Sequence, residues 1–277
     1  MTRSFDVHAE NDQRALLAIA LDVAREASEL VLSGWRKKFT VDLKGPVDLV
    51  TDFDRASEEL ARDRLHARTP FTVVGEEGGA DLSRASDEAK WYVDPIDGTT
   101  NFVHGHPFFC VSVGLLANGQ PLLGAIVAPA LRYEFTGIAG KFATRNGEPC
   151  HVSTATEFSA ALLATGFPYD RRISDDNNFD AFVAIKKKCQ AVRRCGSAAL
   201  DLCFVAEGTY DGYWEKKLNA WDITGGAAIV LGAGGRLSTY GGEPFNAMRG
   251  DLVATNGKIH DALLRELAEV QSKRTTK

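Results

Sequence analysis

The sequence predicts a mixed α and β fold, of the α+β kind in its first half and the α/β kind in its second, on three observations. Within residues 12–35, Leu16, Ile19, Ala20, Val23, Ala27, Leu30 and Val31 recur at helical spacing, the mark of an amphipathic helix. Residues 108–138 alternate β-rich runs with the turn signals Asn118-Gly119 and Pro129, which predicts an antiparallel sheet. Beyond about residue 153 strand-like and helix-like segments alternate.

The elements follow in order. Asn11 and Asp12 stand as caps of the first helix, and a break at Lys44-Gly45-Pro46 comes after it. Then "VDLVT" leads into "DFDRASEELARDRLHAR", a second helix with Thr51 as its cap and Asp54 at its third position. "FTVV" and "WYV" read as short strands, each ending at acids, and Asn146-Gly147 adds a hairpin signal to the sheet. The second half reads as "AALLATGF", a helix near 178–188, "AVRRCG", a helix over 197–207, and "YDGYWEK". A helix opening at Asp222, the strands "RLSTY" and "DLVATN", and a helix over 259–270 complete it. No repeat or low-complexity linker separates residues 1–152 from 153–277, so the two halves are expected to pack as one unit.

A chain of 277 residues with 44% hydrophobic and 25% charged residues is an ordinary globular one. It is long enough to bury roughly three quarters of its unfolded surface. Its net charge of −5 argues against a general nucleic-acid binder. A small anionic ligand would then need a metal or a helix N-terminus. The polar start "MTRSFDVHAENDQ" and the absence of a long apolar run point to a cytoplasmic protein with no membrane partner. Five cysteines without C-x-x-C spacing are expected to be reduced and mostly buried.

Acids gather at predicted strand ends. "VVGEE" presents Glu76 and Glu77, "WYVDPIDGTTNF" presents Asp94 and Asp97, and "AWDITGG" presents Asp222. One such Asp would be a turn or cap. Several can share a site only if cations neutralise them, and an all-oxygen ligand set selects a hard cation, magnesium first. Pro95 fixes φ and turns the chain so that Asp94 and Asp97 can aim at one place, with the Ile96 carbonyl as a further oxygen. Gly98-Thr99-Thr100 can then offer backbone N–H groups to an anion at a helix start.

"DPIDGTTNFVHGHPFFCVSVGLL", the upstream "GEE" and "VDLVTDFD", and "WDITGGAAIVLGAGG" downstream resemble the ordered blocks of the inositol monophosphatase family over nearly the whole chain. The resemblance implies a layered α-β-α-β-α sandwich, commonly dimeric, and a phosphomonoesterase using two or three Mg2+ ions. It places Glu76, Asp94, Asp97, Asp222 and the Ile96 carbonyl as metal ligands, with Asp54 and Thr99, beside Glu76, around the attacking water. Gly98 and Thr99 would bind the phosphate, with Asp97 and Asp222 beside it. Glu215 and the Ala198 backbone would meet the hydroxyls of inositol 1-phosphate or a similar polyol phosphate.

Each position also has a plainer use: Asp54 as partner of Thr51 in a capping box, Thr99 and Asp222 as helix caps, Glu215 as a surface strand residue. Glu77 reads as a supporting acid, and Lys44 stays outside the expected site. Phe142 stands where the family usually has glycine.

The same scaffold leaves fructose-1,6-bisphosphatase, histidinol-phosphatase and nucleotide 3′-phosphatase activities open. The three-residue spacing of Asp94 and Asp97 differs from the D-x-D of haloacid-dehalogenase phosphatases. His104-Gly105-His106 lacks a third ligand nearby and reads as structural. The basic cluster Lys186, Lys187, Lys188, Arg193 and Arg194 reads as a solvated helix end. Its alternative use is docking RNA or the transcription machinery, as some bacterial relatives do.

Overall fold

The computed structural model describes residues 4–45, 48–80 and 89–275. Met1 to Arg3 of the polar start, Pro46 of the expected break and Val47 of "VDLVT" lie outside the described residues.

Helix α1 (Glu10–Gly34) buries Leu16, Ala20, Val23, Ala27 and Val31, the expected stripe. It is capped at Ala9, just before its expected caps, because the Ala9 carbonyl already accepts the Gln13 N–H at 3.0 Å. Asn11 and Asp12 therefore sit inside the first turn, where Asp12 accepts the N–H of Asp6 at 2.9 Å. Strands β1 (Val41–Leu43) and β2 (Leu49–Thr51) pair antiparallel and feed α2 (Asp52–Arg68). Thr51 caps α2 as expected, in a full capping box with Asp54.

The large sheet contains β3 (Thr72–Gly75), β4 (Gly79–Ala80), β5 (Ala89–Asp97), β6 (Cys110–Ala117) and β7 (Gln120–Ala128). It continues with β8 (Tyr133–Ile138), β9 (Phe142–Arg145) and β10 (Glu148–Pro149), in the order β10-β9-β8-β7-β6-β5-β3-β4. From β5 to β10 it is antiparallel, as the turn signals predict. The exception positions the site: β3 runs parallel to β5 with Gly75 opposite Val93, so Glu76 and Asp94 follow at matching positions on the two chains. Strand β5 does not stop at the acids. It passes through Pro95 to Asp97, with a bulge between Asp94 and Asp97 that re-aims both side chains. The short helix α3 (Thr99–Val103) follows directly.

The second sheet contains β11 (Leu162–Thr165), β12 (Ala191–Arg193), β13 (Gly212–Glu215), β14 (Arg236–Ser238) and β15 (Leu252–Thr255), in the order β12-β11-β13-β15-β14. Strand β11 is parallel to both neighbours, and the other pairs are antiparallel. Helices α4 (Phe179–Lys186), α5 (Ala198–Ala206), α6 (Ala220–Gly232) and α7 (His260–Thr275) connect and flank these strands. Helix α6 opens at Ala220 rather than at Asp222, since Asn219 takes the extended cap position. Helix α4 ends at Lys186, so the basic run does not lie on one helix end.

Helices α1 and α2 cover one face of the large sheet and α6 the other, while α5 packs on α6 and on β11 and β13. Helix α7 lies on the far side, against β15 and α4. Three apolar cores separate these layers, one around Leu16, Trp91 and Val113, one around Leu200, Tyr213 and Ile229, and one around Leu163, Trp214 and Leu263. This is the α-β-α-β-α order that the resemblance implies. The central contact is close: a Cβ built on Gly124 would stand 2.2 Å from the Gly225 carbonyl oxygen, and one on Gly114 would stand 2.5 Å from the Gly225 nitrogen. Gly114 and Gly124 are cross-strand partners, so α6 rests backbone to backbone on the sheet.

Candidate active site

The bulge of β5, the start of α3, the N-termini of α5 and α6 and the end of β13 converge on a cavity of about 260 Å³. Its walls include Glu76, Asp94, Ile96, Asp97, Gly98, Thr99, Ala198, Glu215 and Asp222, so ten of the positions expected from the sequence, once Asp54 behind the wall is added, come together. A wider depression of about 720 Å³ between α1 and β7–β8 is lined by the Arg25–Glu134 ion pair and carries no comparable set of acids.

Asp54 makes the capping contact and also meets Thr99. Its Oδ2 accepts the Thr51 N–H at 2.7 Å and the Thr51 hydroxyl at 2.6 Å, which completes the cap. Its Oδ1 accepts the Thr99 hydroxyl at 3.2 Å. Burial pushes the Asp54 carboxyl up to about 6, and the Thr51 and Thr99 hydrogen bonds oppose that rise. Thr99 is the first residue of α3 rather than its cap. The cap is Gly98, whose φ of +96° is the left-handed region that glycine tolerates.

Asp97 is held by the start of α5. Its Oδ2 accepts the Ser197 hydroxyl at 2.7 Å and the Ala199 N–H at 2.6 Å, and its Oδ1 accepts the Ala198 N–H at 3.3 Å. The Ala198 backbone, expected to meet a substrate hydroxyl, gives its N–H to Asp97. Burial raises Asp97, and those three donors with Arg194 oppose the rise. Asp94 accepts the Ile96 N–H at 3.0 Å. Burial, then Glu76, Asp97 and Asp222, push its carboxyl well above the usual range. Asp222 rises likewise by burial and Asp97, against the Asn219 N–H it accepts at 2.6 Å as a partner of the α6 cap. Among the described residues none of Asp94, Asp97 and Asp222 has an ion-pair partner.

Glu215 ends β13 with its carboxylate lying across Gly166, where any Cβ would collide with it. Its Oε2 accepts the Tyr213 hydroxyl. Burial pushes it up to about 7, opposed by Tyr213 and Arg194. It is a pocket wall, not a surface strand residue.

Sequence reasoning left out several residues that the structure brings here, Lys44, Arg194 and Ser197 among them. Lys44 at the β1 turn bonds Glu76 at 2.8 Å and Glu77 at 2.5 Å. Burial works against its charge, but the two glutamates hold it and raise it. Glu77 also gives its backbone N–H to the buried Glu58 at 2.6 Å. Arg194 leaves the expected basic cluster to join the pocket wall, whereas Lys188 pairs with Glu266 and Glu269 on α7. Ser197, expected inside the helix over 197–207, instead caps α5 and bonds Asp97. His104 and His106 are exposed. Among the described residues no three acidic, histidine or cysteine side chains already lie as close as the ligands of one ion. The like charges face one another across the cavity instead.

A model of the inositol monophosphatase family matches residues 12–272. The inositol-1-monophosphatase of Synechocystis is 39% identical over 263 residues, covering 95% of this chain and 92% of the relative. The Nus factor SuhB of Pseudomonas aeruginosa is 38% identical over 255 residues, covering 90% and 94%. The solved inositol monophosphatase of Anabaena (Nostoc) superposes with a TM-score of 0.85 at 40% identity, covering 92% of this chain and 96% of that one.

Proposed function

The chain belongs to the inositol monophosphatase family, phosphatases that hydrolyse phosphomonoesters, and from that premise we propose that it hydrolyses inositol 1-phosphate or a similar small polyol phosphate with magnesium. The observation that carries the reading is that one cavity is walled by Glu76, Asp94, Asp97 and Asp222 together with the Gly98-Thr99 turn and Glu215.

The donor set fits a hard divalent cation. It is all oxygen, its buried aspartates lack ion-pair partners among the described residues, and the ammonium of Lys44 stands on Glu76 where positive charge is favoured. Glu76, Asp94, Asp97, Asp222 and the Ile96 carbonyl would hold two or three Mg2+ ions. Bound there, the ions would polarise the phosphoryl oxygens and make water acidic enough to attack at neutral pH. The protein's own part is proton handling and orientation. Thr99 can accept a proton from water as it passes its own to Asp54, whose raised carboxyl suits a base near neutrality. The N–H groups of Gly98 and Thr99 at the α3 turn would face the phosphate, and Glu215 would accept a hydrogen bond from a polyol hydroxyl.

Ligands from 1–152 and 153–277 share the one cavity, which supports treating the halves as a single catalytic unit. We take the working form to be a homodimer, as the family resemblance implies. Among the described residues no helix is long and apolar enough to cross a membrane. A transcription-associated role is suggested only by the relative named a Nus factor, and the basic cluster that would serve it is divided in the fold.

Phosphate release from inositol 1-phosphate, fructose 1,6-bisphosphate, histidinol phosphate and adenosine 3′,5′-bisphosphate, with magnesium or a chelator, tests the reading. Magnesium-dependent turnover fastest on inositol 1-phosphate is expected. No magnesium-dependent release from any polyol phosphate would overturn it.

A further inference from the structure

Asp201 lies on α5, one turn beyond Ala198, and lines the same cavity. It is 2% exposed, and its Oδ1 is buried with no hydrogen-bond partner. The surrounding acids all have one: Asp54 has Thr51 and Thr99, Asp97 has the α5 N-terminus, Glu215 has Tyr213 and Asp222 has Asn219. A buried carboxyl oxygen left unpaired costs free energy, and native proteins rarely leave one so unless something else completes it. Burial, then Glu215 and Asp97, push the Asp201 carboxyl well above the usual range, against the pull of Arg194. Its Oδ1 is therefore an acceptor that the protein itself leaves without a donor.

We propose that Asp201 is a second specificity-determining residue of the pocket, pairing with a hydroxyl of the substrate's polyol part beside the hydroxyl that Glu215 takes. The inference rests on the phosphatase reading and deepens it. The natural substrate is then a phosphomonoester carrying at least two hydroxyls, one for each carboxyl group. Asp201 does not touch the reacting phosphate, so its contribution belongs to binding of the alcohol half.

Two variants separate this from a structural role. Asp201→Ala removes the polar group, and Asp201→Asn keeps an amide that can donate and accept in the same volume. With inositol 1-phosphate, the alanine variant is expected to raise KM about tenfold with little change in kcat. With an aryl phosphate that has no hydroxyls, kcat/KM should stay within about twofold, and the asparagine variant should recover most of the polyol KM. Because the removed group has no partner, the alanine variant should melt no lower than the parent, whereas a structural role requires a fall. Equal losses on both substrates, an unchanged polyol KM, or an asparagine variant as poor as alanine would each overturn the assignment. If the alanine variant does not fold, Asp201→Val carries the same comparison. Magnesium-dependent aryl phosphate hydrolysis in the unaltered protein reports separately on the phosphatase reading.

Discussion

The Thr99 hydroxyl has two acceptors within reach, Asp54 Oδ1 at 3.2 Å and the Ile96 carbonyl at 3.0 Å, and only one proton to give. The Ile96 carbonyl would be drawn on by any cation held there, which would favour Asp54 as the acceptor of the Thr99 proton and leave the hydroxyl oxygen able to receive a proton from water.

Thr99→Val keeps the shape and removes the hydroxyl, so kcat should fall about 10²- to 10⁴-fold with KM little changed. Thr99→Ser should restore most of it. A valine variant with near-normal kcat in a steady-state assay would exclude the relay.

Asp94→Asn removes one of several like charges that face the cavity. Turnover should fall by at least about 10²-fold, because phosphoryl transfer depends on electrostatic stabilisation. The metal-free variant should nevertheless melt higher than the metal-free parent, since Glu76, Asp97 and Asp222 lose a repelling neighbour. Activity and melting are read on the same preparation.

The pH dependence of stability has a definite sign. Asp54 and Glu215 are raised from 3.8 and 4.5 to about 6 and about 7 in the fold, and Asp94 and Asp222 are raised as well. Raised acids contribute stability fully below their unfolded values and lose it as pH climbs through the folded ones. Chelated protein should therefore lose melting temperature between about pH 4 and pH 7, and saturating magnesium, which binds the ionised acids, should reverse the slope. Melting curves across this range with and without chelator check both arms.

Lys44→Met withdraws the ammonium that stands on Glu76 and Glu77. The negative potential at Glu76 then rises and a competing cation is gone, so half-maximal activation should need several-fold less magnesium. Titration of activity against magnesium gives the answer, and a higher requirement would show that Lys44 helps to seat the metal or the phosphate.

The helices and the antiparallel sheet were legible because they rest on local signals: the α1 stripe, Thr51 before α2, and Asn118-Gly119 between β6 and β7. Boundaries slipped where backbone bonds overrode side-chain preference, as at Ala9 and Asn219. The acids were legible as a group because so many stood at strand ends and because their blocks resemble a known family. What bonds them was not. Lys44 reaches Glu76 through the β1–β2 pairing, while Arg194 comes to the pocket wall through the β12–β11 register and Asp201 through the packing of α5. Each of these depends on contacts between distant segments, which no local pattern carries.

The glycine contact between α6 and the large sheet sets a limit on how this site can diversify. Asp222 rides on the first turn of α6, Asp94 on the sheet beneath, and between them at Gly225 there is no side chain whose size could be tuned. A single methyl group at Gly124 would have to lift the whole helix, moving one acid relative to the other and opening the middle core as well. On the proposed reading, substitutions that alter which alcohol is accepted would be tolerated at Glu215, Asp201 and the Gly166–Arg171 wall. The spacing of Asp94 and Asp222 would move only as a block, so relatives built on the same contact should differ in the alcohol they accept far more than in the ion they use.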